Sequence, residues 1–109
     1  MPRFPELKGK VALITGAGRA GGLGEGIARR LAVEGCRVVI TDIGKGRGPE
    51  MPPSAIGSDE EMARTAAAIR ADGGDCTAMS LDVLEESQVE AVIAEITATF
   101  GGIDILVNN

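Results

Sequence analysis

Histidine, tryptophan and tyrosine are all missing from this 109-residue sequence, and phenylalanine occurs only twice. Without His there is neither imidazole acid/base chemistry nor imidazole metal ligation. Without aromatic faces there is no platform on which single-stranded bases could stack. A cationic surplus is missing too: 11 Lys and Arg stand against 16 Asp and Glu, a net charge of −5. That sign argues against a nucleic-acid partner, which needs positive surface to displace counterions. No apolar run approaches the roughly 18 residues that cross a bilayer, so no membrane partner is expected. The opening MPRFPELKGK lacks the apolar stretch of a signal peptide, and the expected compartment is the cytoplasm. The two cysteines, Cys36 and Cys76, are too few for a disulfide framework. Each adjoins an expected strand and reads as a reduced, small hydrophobe. The alternative is a bridge between the starts of adjacent strands under oxidation.

Glycine is abundant: 16 residues, about double ordinary usage, and clustered. Hydrophobic residues at 44% and charged residues at 25% fit an ordinary globular chain. The run Lys10–Thr15 reads as a strand buried on both faces. A glycine-rich turn follows, then a helix in which Leu23, Ile27 and Leu31 recur with Ala28 and Ala32 beside them, stopped at Gly35. Arg37–Asp42, rich in β-branched residues, is the second strand. Residues 43–57 hold four Gly and three Pro without any period, a long loop insertion. Ser58 with Glu61 forms a capping box, and Met62, Ala66 and Ile69 follow at helical spacing up to Gly73-Gly74. Cys76–Leu81 is the third strand. Glu85–Phe100 is an amphipathic helix with Val89, Val92, Ile93, Ile96 and Phe100 on one stripe, ended by Gly101-Gly102. Ile103–Val107 is the fourth strand. Such β-α-β-α-β-α-β alternation implies parallel strands with helices on both faces. The expected strand order is 3-2-1-4, the first half of a doubly wound α/β sheet of the Rossmann type. Strand 4 then lacks an outer neighbour, so residues 1–109 are expected to be the N-terminal part of one incomplete domain.

A parallel sheet collects ligands at the carboxyl ends of its strands, where the order reverses. The loop Thr15–Gly26 sits there. Its glycines permit positive φ and let backbone amides approach phosphate oxygens without an intervening Cβ. The helix behind it offers unpaired N–H groups and partial positive charge to a pyrophosphate. Gly16-Ala17-Gly18-Arg19-Ala20-Gly21 matches G-x-G-x-x-G between a strand and a helix, the context that gives this pattern meaning. Asp42, ending strand 2, can accept hydrogen bonds from both adenosine-ribose hydroxyls and would repel a 2′-phosphate, which favours NAD over NADP. Arg19, Lys45 and Arg47 are nearby cations that could offset that charge, or form a solvated loop face. Asp82-Val83 ends strand 3 and would reach the adenine. The rival reading of Asp82 is helix-start chemistry ahead of Glu85.

With Thr15-Gly16, Gly22-Leu23-Gly24, Asp42, Asp82-Val83 and Asn108-Asn109 in this order, the sequence resembles the short-chain dehydrogenase/reductase family over essentially its whole length. The resemblance implies that Gly16, Gly22 and Gly24 line the pyrophosphate, with Leu23 at the loop tip near the nicotinamide half. It implies Asp42 and Ile43 at the adenosine ribose, Asp82 and Val83 at the adenine, and Asn108 beneath the cofactor, steadying the sheet. Five residues separate Thr15-Gly16 from Gly22 where the family pattern has three, so the glycine loop is two residues longer; it looks like the longer loop of the divergent enoyl-reductase branch, although the Asn108-Asn109 end looks like the mainstream branch. Arg19 lies within that extension and is a further cofactor-contact candidate. The family's Ser and its Tyr-x-x-x-Lys pair would fall beyond Asn109, so this chain carries no catalytic residue.

The resemblance therefore implies an oxidoreductase that moves hydride between NAD(H) and an alcohol or carbonyl substrate, as a homodimer or homotetramer when complete. The 109 residues alone should be inactive. Two alternatives stand beside it: a non-catalytic dinucleotide-binding or sensor protein of the same fold, and a methyltransferase using S-adenosylmethionine. Thr15-Gly16 and the ILVNN ending fit the latter poorly.

Overall fold

The computed structural model describes residues 2–43 and 59–109. The insertion after Ile43 and Ser58 of the expected capping box lie outside the described residues. Strands β1 (Val11–Ile14), β2 (Arg37–Asp42), β3 (Asp75–Ser80) and β4 (Ile105–Val107) alternate with helices α1 (Leu23–Val33), α2 (Asp59–Ala71) and α3 (Glu86–Phe100). A single turn of 3-10 helix, Pro5–Leu7, precedes β1. All strand pairs are parallel and the order is β3-β2-β1-β4, as the alternation implied.

The two-residue period of β1 and β2 divides the core into two layers. Ala12 and Ile14, with Val38 and Ile40, face Ala28 and Ala32 of α1 and Met62, Ala66 and Ile69 of α2. Val11, Leu13 and Val39 face Val92 and Ile96 of α3, with Leu81 beneath. Both faces of the central strands are thus covered, which explains why those segments read as continuous apolar runs. The stripe on α3 is narrower than its spacing suggests. Val92 and Ile96 are buried and Val89 and Phe100 pack against them, but Ile93 is 43% exposed. Leu106, which pairs with Leu13 and so shares that face, is 57% exposed. Leu106 belongs to β4, the last strand of the sheet, which has a neighbour on one side only among the described residues. Leu23, expected on the buried face of α1, is 72% exposed because it opens the helix ahead of the sheet's edge.

The starts of β3 and β4 move for identifiable reasons. β3 begins one residue early because Asp75 pairs with Arg37 in register, and their side chains meet at 3.4 Å. The Arg37 guanidinium also lies 4.4 Å over the Phe100 ring, a contact favourable to a cation. β4 begins two residues late because Asp104 turns back on β1. Its carboxylate accepts from Val11 N at 2.9 Å while its own N–H donates to Val11 O at 2.9 Å. In β1, Lys10 and Thr15 drop out of the expected run.

Both cysteines are buried free thiols. Burial pushes the Cys36 thiol up, helped by the charges of Glu34 and Asp104, and Cys36 Sγ donates to Leu7 O at 3.5 Å. Burial pushes Cys76 up to about 11. These are structural thiols, as their positions beside strands implied.

Glu34, at the end of α1, is a buried carboxylate that straps the N-terminal segment. One oxygen accepts from Arg3 N at 2.8 Å and Phe4 N at 2.7 Å; the other takes no hydrogen bond and is partnered by the charge of Arg30. Burial pushes the Glu34 carboxyl up, but the two amides and Arg30 outweigh it and hold the group below its ordinary value of 4.5. A carboxyl depressed by folding contributes stability above its unfolded pKa and loses it as pH falls through the folded pKa. Glu34→Gln should therefore melt below the wild type near neutrality, and the gap should shrink on acidification past about pH 4.5. Melting curves of both proteins from pH 7 to pH 3 check this, and a gap that widens in acid would be the wrong sign.

Candidate functional site

The loop between β1 and α1 sits at the carboxyl ends of the strands and is organised by partners on every side. Thr15 N donates to Val107 O at 3.1 Å and Ala17 N to Thr41 O at 2.9 Å, so its stem continues toward both neighbouring strands. Gly18 N then donates to Asp42 Oδ2 at 2.9 Å in a buried bond. A Cβ on Gly18 would come within 2.7 Å of the Asp42 Cβ, so only glycine allows this approach. Ala20 N donates to Glu61 Oε2 at 2.6 Å and Gly21 N to Glu25 Oε1 at 3.1 Å. Gly22 N donates to Arg19 O at 3.1 Å, closing a turn around the extension.

Gly22 is the N-cap of α1 and supplies no side-chain acceptor. The first hydrogen bond of the helix runs from Gly26 N to Gly22 O at 3.3 Å. The amides of Leu23, Gly24 and Glu25 lie ahead of it, the orphan donors of a helix start. They carry the positive end of the helix dipole, and the N-cap residue makes no side-chain hydrogen bond to them. Gly24 is buried, and a Cβ there would meet Ala17 Cα and Asn109 Nδ2, each at 2.7 Å. Its bareness is what lets α1 start against the loop stem. Glu25 bridges the loop and the helix: one oxygen holds the Gly21 amide and the other meets Arg29 at 2.9 Å. The bond from Arg29 and then the amide of Gly21 outweigh burial and hold its carboxyl below the ordinary range.

Asp42 is 9% exposed. While Oδ2 holds Gly18, Oδ1 accepts from Ile43 N at 2.7 Å. Pairing of Asp42 with Ser80 carries β3 toward Leu81, whose N–H donates to Asp42 O at 2.9 Å. Asp82 follows directly. Its Oδ1 accepts from Leu84 N at 3.0 Å, and Gln88 Oε1 accepts from Asp82 N at 2.9 Å. The helix-start chemistry weighed for Asp82 is therefore present. Val83 is 52% exposed, and with Leu23 and Leu84 it places large apolar side chains in solvent at this one edge of the sheet.

At the end of β4 the steadying bonds come from Asn109. Its side chain donates to Gly16 O at 2.9 Å and its backbone N–H to Thr15 Oγ1 at 3.3 Å. Asn108 is exposed. Val107 packs on the α1 side, so continued alternation carries residue 109, not 108, toward the glycine loop. Sequence reasoning thus brings Gly16, Arg19, Gly22, Leu23, Gly24, Asp42 and Ile43 to one region, with Asp82, Val83 and Asn108 at the same edge. It missed Gly18, Glu61 and Asn109. The G-x-G-x-x-G match contained the signal for Gly18 and the Asn108-Asn109 pair that for Asn109, whereas the capping-box spacing marks Glu61 only as a helix-start residue.

Among the described residues no cluster of His, Cys, Asp and Glu could hold a metal ion, and no helix is long and apolar enough to cross a membrane. A cavity of about 410 Å³, lined by Arg29, Val33, Ile69 and Asp72 among others, lies between the C-terminal ends of α1 and α2. That is the opposite edge of the sheet, away from the cluster of glycines and carboxylates, and it has no part in this site.

Residues 10–109 match the family model of the short chain dehydrogenases. Galactitol 2-dehydrogenase of Agrobacterium fabrum is 41% identical over 103 residues, which are 94% of this chain and 33% of that protein. Hydroxysteroid dehydrogenase-like protein 2 of Xenopus tropicalis is 37% identical over all 109 residues, 24% of its own length. Among solved structures, a short chain dehydrogenase from Mycobacterium smegmatis superposes with a TM-score of 0.78 at 31% identity, covering 100% of this chain and 40% of that one. The chain spans about a third of galactitol 2-dehydrogenase and less of the longer relative. With strand order, glycine loop and sequence in agreement over nearly every residue, the chain belongs to the short-chain dehydrogenase/reductase family.

Proposed function

We propose that this chain is the dinucleotide-holding part of an oxidoreductase that transfers hydride between NAD(H) and an alcohol or carbonyl compound. One observation carries the reading: a helix start with no side-chain cap, whose first-turn amides meet no acceptor outside the helix among the described residues, set beside a buried carboxylate at the end of the neighbouring strand. The residues fit the group. Amides without a Cβ in front of them suit a pyrophosphate, and apolar side chains left in solvent at the same edge suit a planar base.

The nicotinamide, when bound, supplies or takes the hydride, and the protein's task is to hold and orient it. The first-turn amides of α1, kept open by Gly16, Gly22 and Gly24, would hold the pyrophosphate, with Arg19 lending charge and Leu23 lying toward the nicotinamide half. Asp42 and Ile43 would face the adenosine ribose, Asp82 and Val83 the adenine, and Asn108 the underside of the cofactor. Asp42 favours NAD because a carboxylate there repels a 2′-phosphate. The chain contains neither Tyr nor His, so its own part is binding. The acid/base group, the substrate pocket and the contacts of a homodimer or homotetramer are assigned by the same proposal to sequence beyond Asn109. The 109 residues alone are expected to turn over no alcohol.

Calorimetric titration of the chain with NADH, NADPH and ADP-ribose tests this. NADH and ADP-ribose should bind with similar affinity, and NADPH roughly tenfold or more weakly. Equal or tighter binding of NADPH would remove the role given to Asp42, and failure of all three ligands to bind would sink the reading.

A further inference from the structure

Three amides of the lengthened glycine loop are held by carboxylates from three different elements: Gly18 by Asp42 of β2, Ala20 by Glu61 of α2 and Gly21 by Glu25 of α1. Loop amides of this kind are natural anion donors, and here these three are already engaged by the protein. We infer that Glu61 is a positioning residue for the dinucleotide grip, acting by latching the Ala20 amide; this rests on the function proposed above.

The other two latches are local to the site. Asp42 belongs to the strand beside the loop stem, and Glu25 lies in the helix that the loop opens. Glu61 comes from 41 residues away and ties the loop to a second helix. Arg19 stands between Gly18 and Ala20, so its backbone is pinned from both sides. Its carbonyl accepts from Gly22 N, the N-cap of α1. The chain of bonds therefore runs from Glu61 through Ala20 and Arg19 to the helix start that faces the pyrophosphate. Ordering a backbone costs entropy, and a loop already ordered spares the ligand that cost on binding. Two extra residues make the loop more in need of such a tie. A carboxylate accepting from a backbone amide is a charge-assisted bond of above-average strength.

Glu61 also stands in the acidic first turn of α2 with Asp59 and Glu60, where negative charge favours the helix whatever the loop does. The experiment separates the two roles. The full chain, labelled with 15N, is compared as wild type, Glu61→Ala and Glu61→Gln. In the wild type the Ala20 amide should exchange slowly and resonate at low field. Glu61→Ala should abolish both features and weaken NADH and ADP-ribose alike by roughly tenfold. Glu61→Gln keeps an acceptor oxygen without the charge and should restore most of the affinity.

An Ala20 resonance indifferent to Glu61→Ala overturns the inference. So does an affinity that Glu61→Ala leaves unchanged, or a Glu61→Gln protein as weak as Glu61→Ala, which would mark Glu61 as a charge for its helix alone. Should the wild type bind neither ligand, the proposed function fails, while the Ala20 resonance still decides whether the latch exists.

Discussion

Glycine-to-alanine replacement at position 24 is expected to weaken NADH binding by roughly tenfold to a hundredfold, the order lost with one hydrogen bond to a charged group. The added methyl would stand 2.7 Å from Ala17 Cα and 2.9 Å from Ala17 Cβ. Ala17 is fully packed and its amide is bonded to Thr41 O, so the stem cannot give way without disturbing β2. The first turn of α1 must then tilt outward and take the amides of Leu23, Gly24 and Glu25 with it. Asn109 Nδ2, also 2.7 Å from the new methyl, would lose its bond to Gly16. Overpacking of this kind costs about 1–3 kcal/mol, and each kcal/mol lowers the melting temperature of a domain this size by roughly 4–8 °C. Gly26, two residues further along the same helix, is the control. A Cβ there meets nothing within 4 Å, so Gly26→Ala should stabilise the helix by about 0.5–1 kcal/mol and leave binding intact. Calorimetry with NADH and a thermal melt of both variants check the pair. Wild-type affinity in Gly24→Ala would remove the helix start from the proposed grip.

The contrast between Gly24 and Gly18 shows what a sequence can and cannot convey. Gly24 belongs to a spaced motif whose context, a strand before and a helix after, already marks it. Gly18 also lies in a glycine motif, but the carboxylate it meets is 24 residues away, and no local pattern records that pairing. The same holds for Glu61 against Ala20 and Asn109 against Gly16, 41 and 93 residues apart. Hydrophobic periodicity reports which face of an element is buried, so β2 was legible from end to end: Arg37–Asp42 is β-branched and bounded by glycine. It does not report which polar group of a distant element will meet an amide, and Asp104 accordingly shortened β4 without warning. Nor does it reveal how far a covering layer extends. Ile93 has the spacing of a core residue and is nonetheless exposed.

Asp42 joins these two levels, since its place at the end of β2 was legible and its two bonds were not. Asp42→Asn should raise the ratio of NADPH to NADH affinity by roughly a hundredfold. Unit charges about 4 Å apart at a protein surface repel by roughly 4 kcal/mol, and removing the carboxylate releases a 2′-phosphate from much of that. The asparagine can keep one of the two native bonds. Its oxygen can accept from Gly18 N, but its NH2 group then faces Ile43 N, donor against donor. Ile43 is half-buried, so water can take up that amide and the melting temperature should fall by only a few degrees. Asp42→Ala is different, because it leaves the Gly18 N–H buried with no acceptor, a cost of about 1–3 kcal/mol that loosens the loop and weakens both dinucleotides. Titrations of wild type, Asp42→Asn and Asp42→Ala with NADH and NADPH separate the two functions of this side chain. If Asp42→Asn shifts neither affinity, the carboxylate is a loop tie alone and cofactor choice lies elsewhere. If it shifts the ratio while Asp42→Ala lowers both affinities together, one residue both builds the loop and chooses the nucleotide that the loop receives.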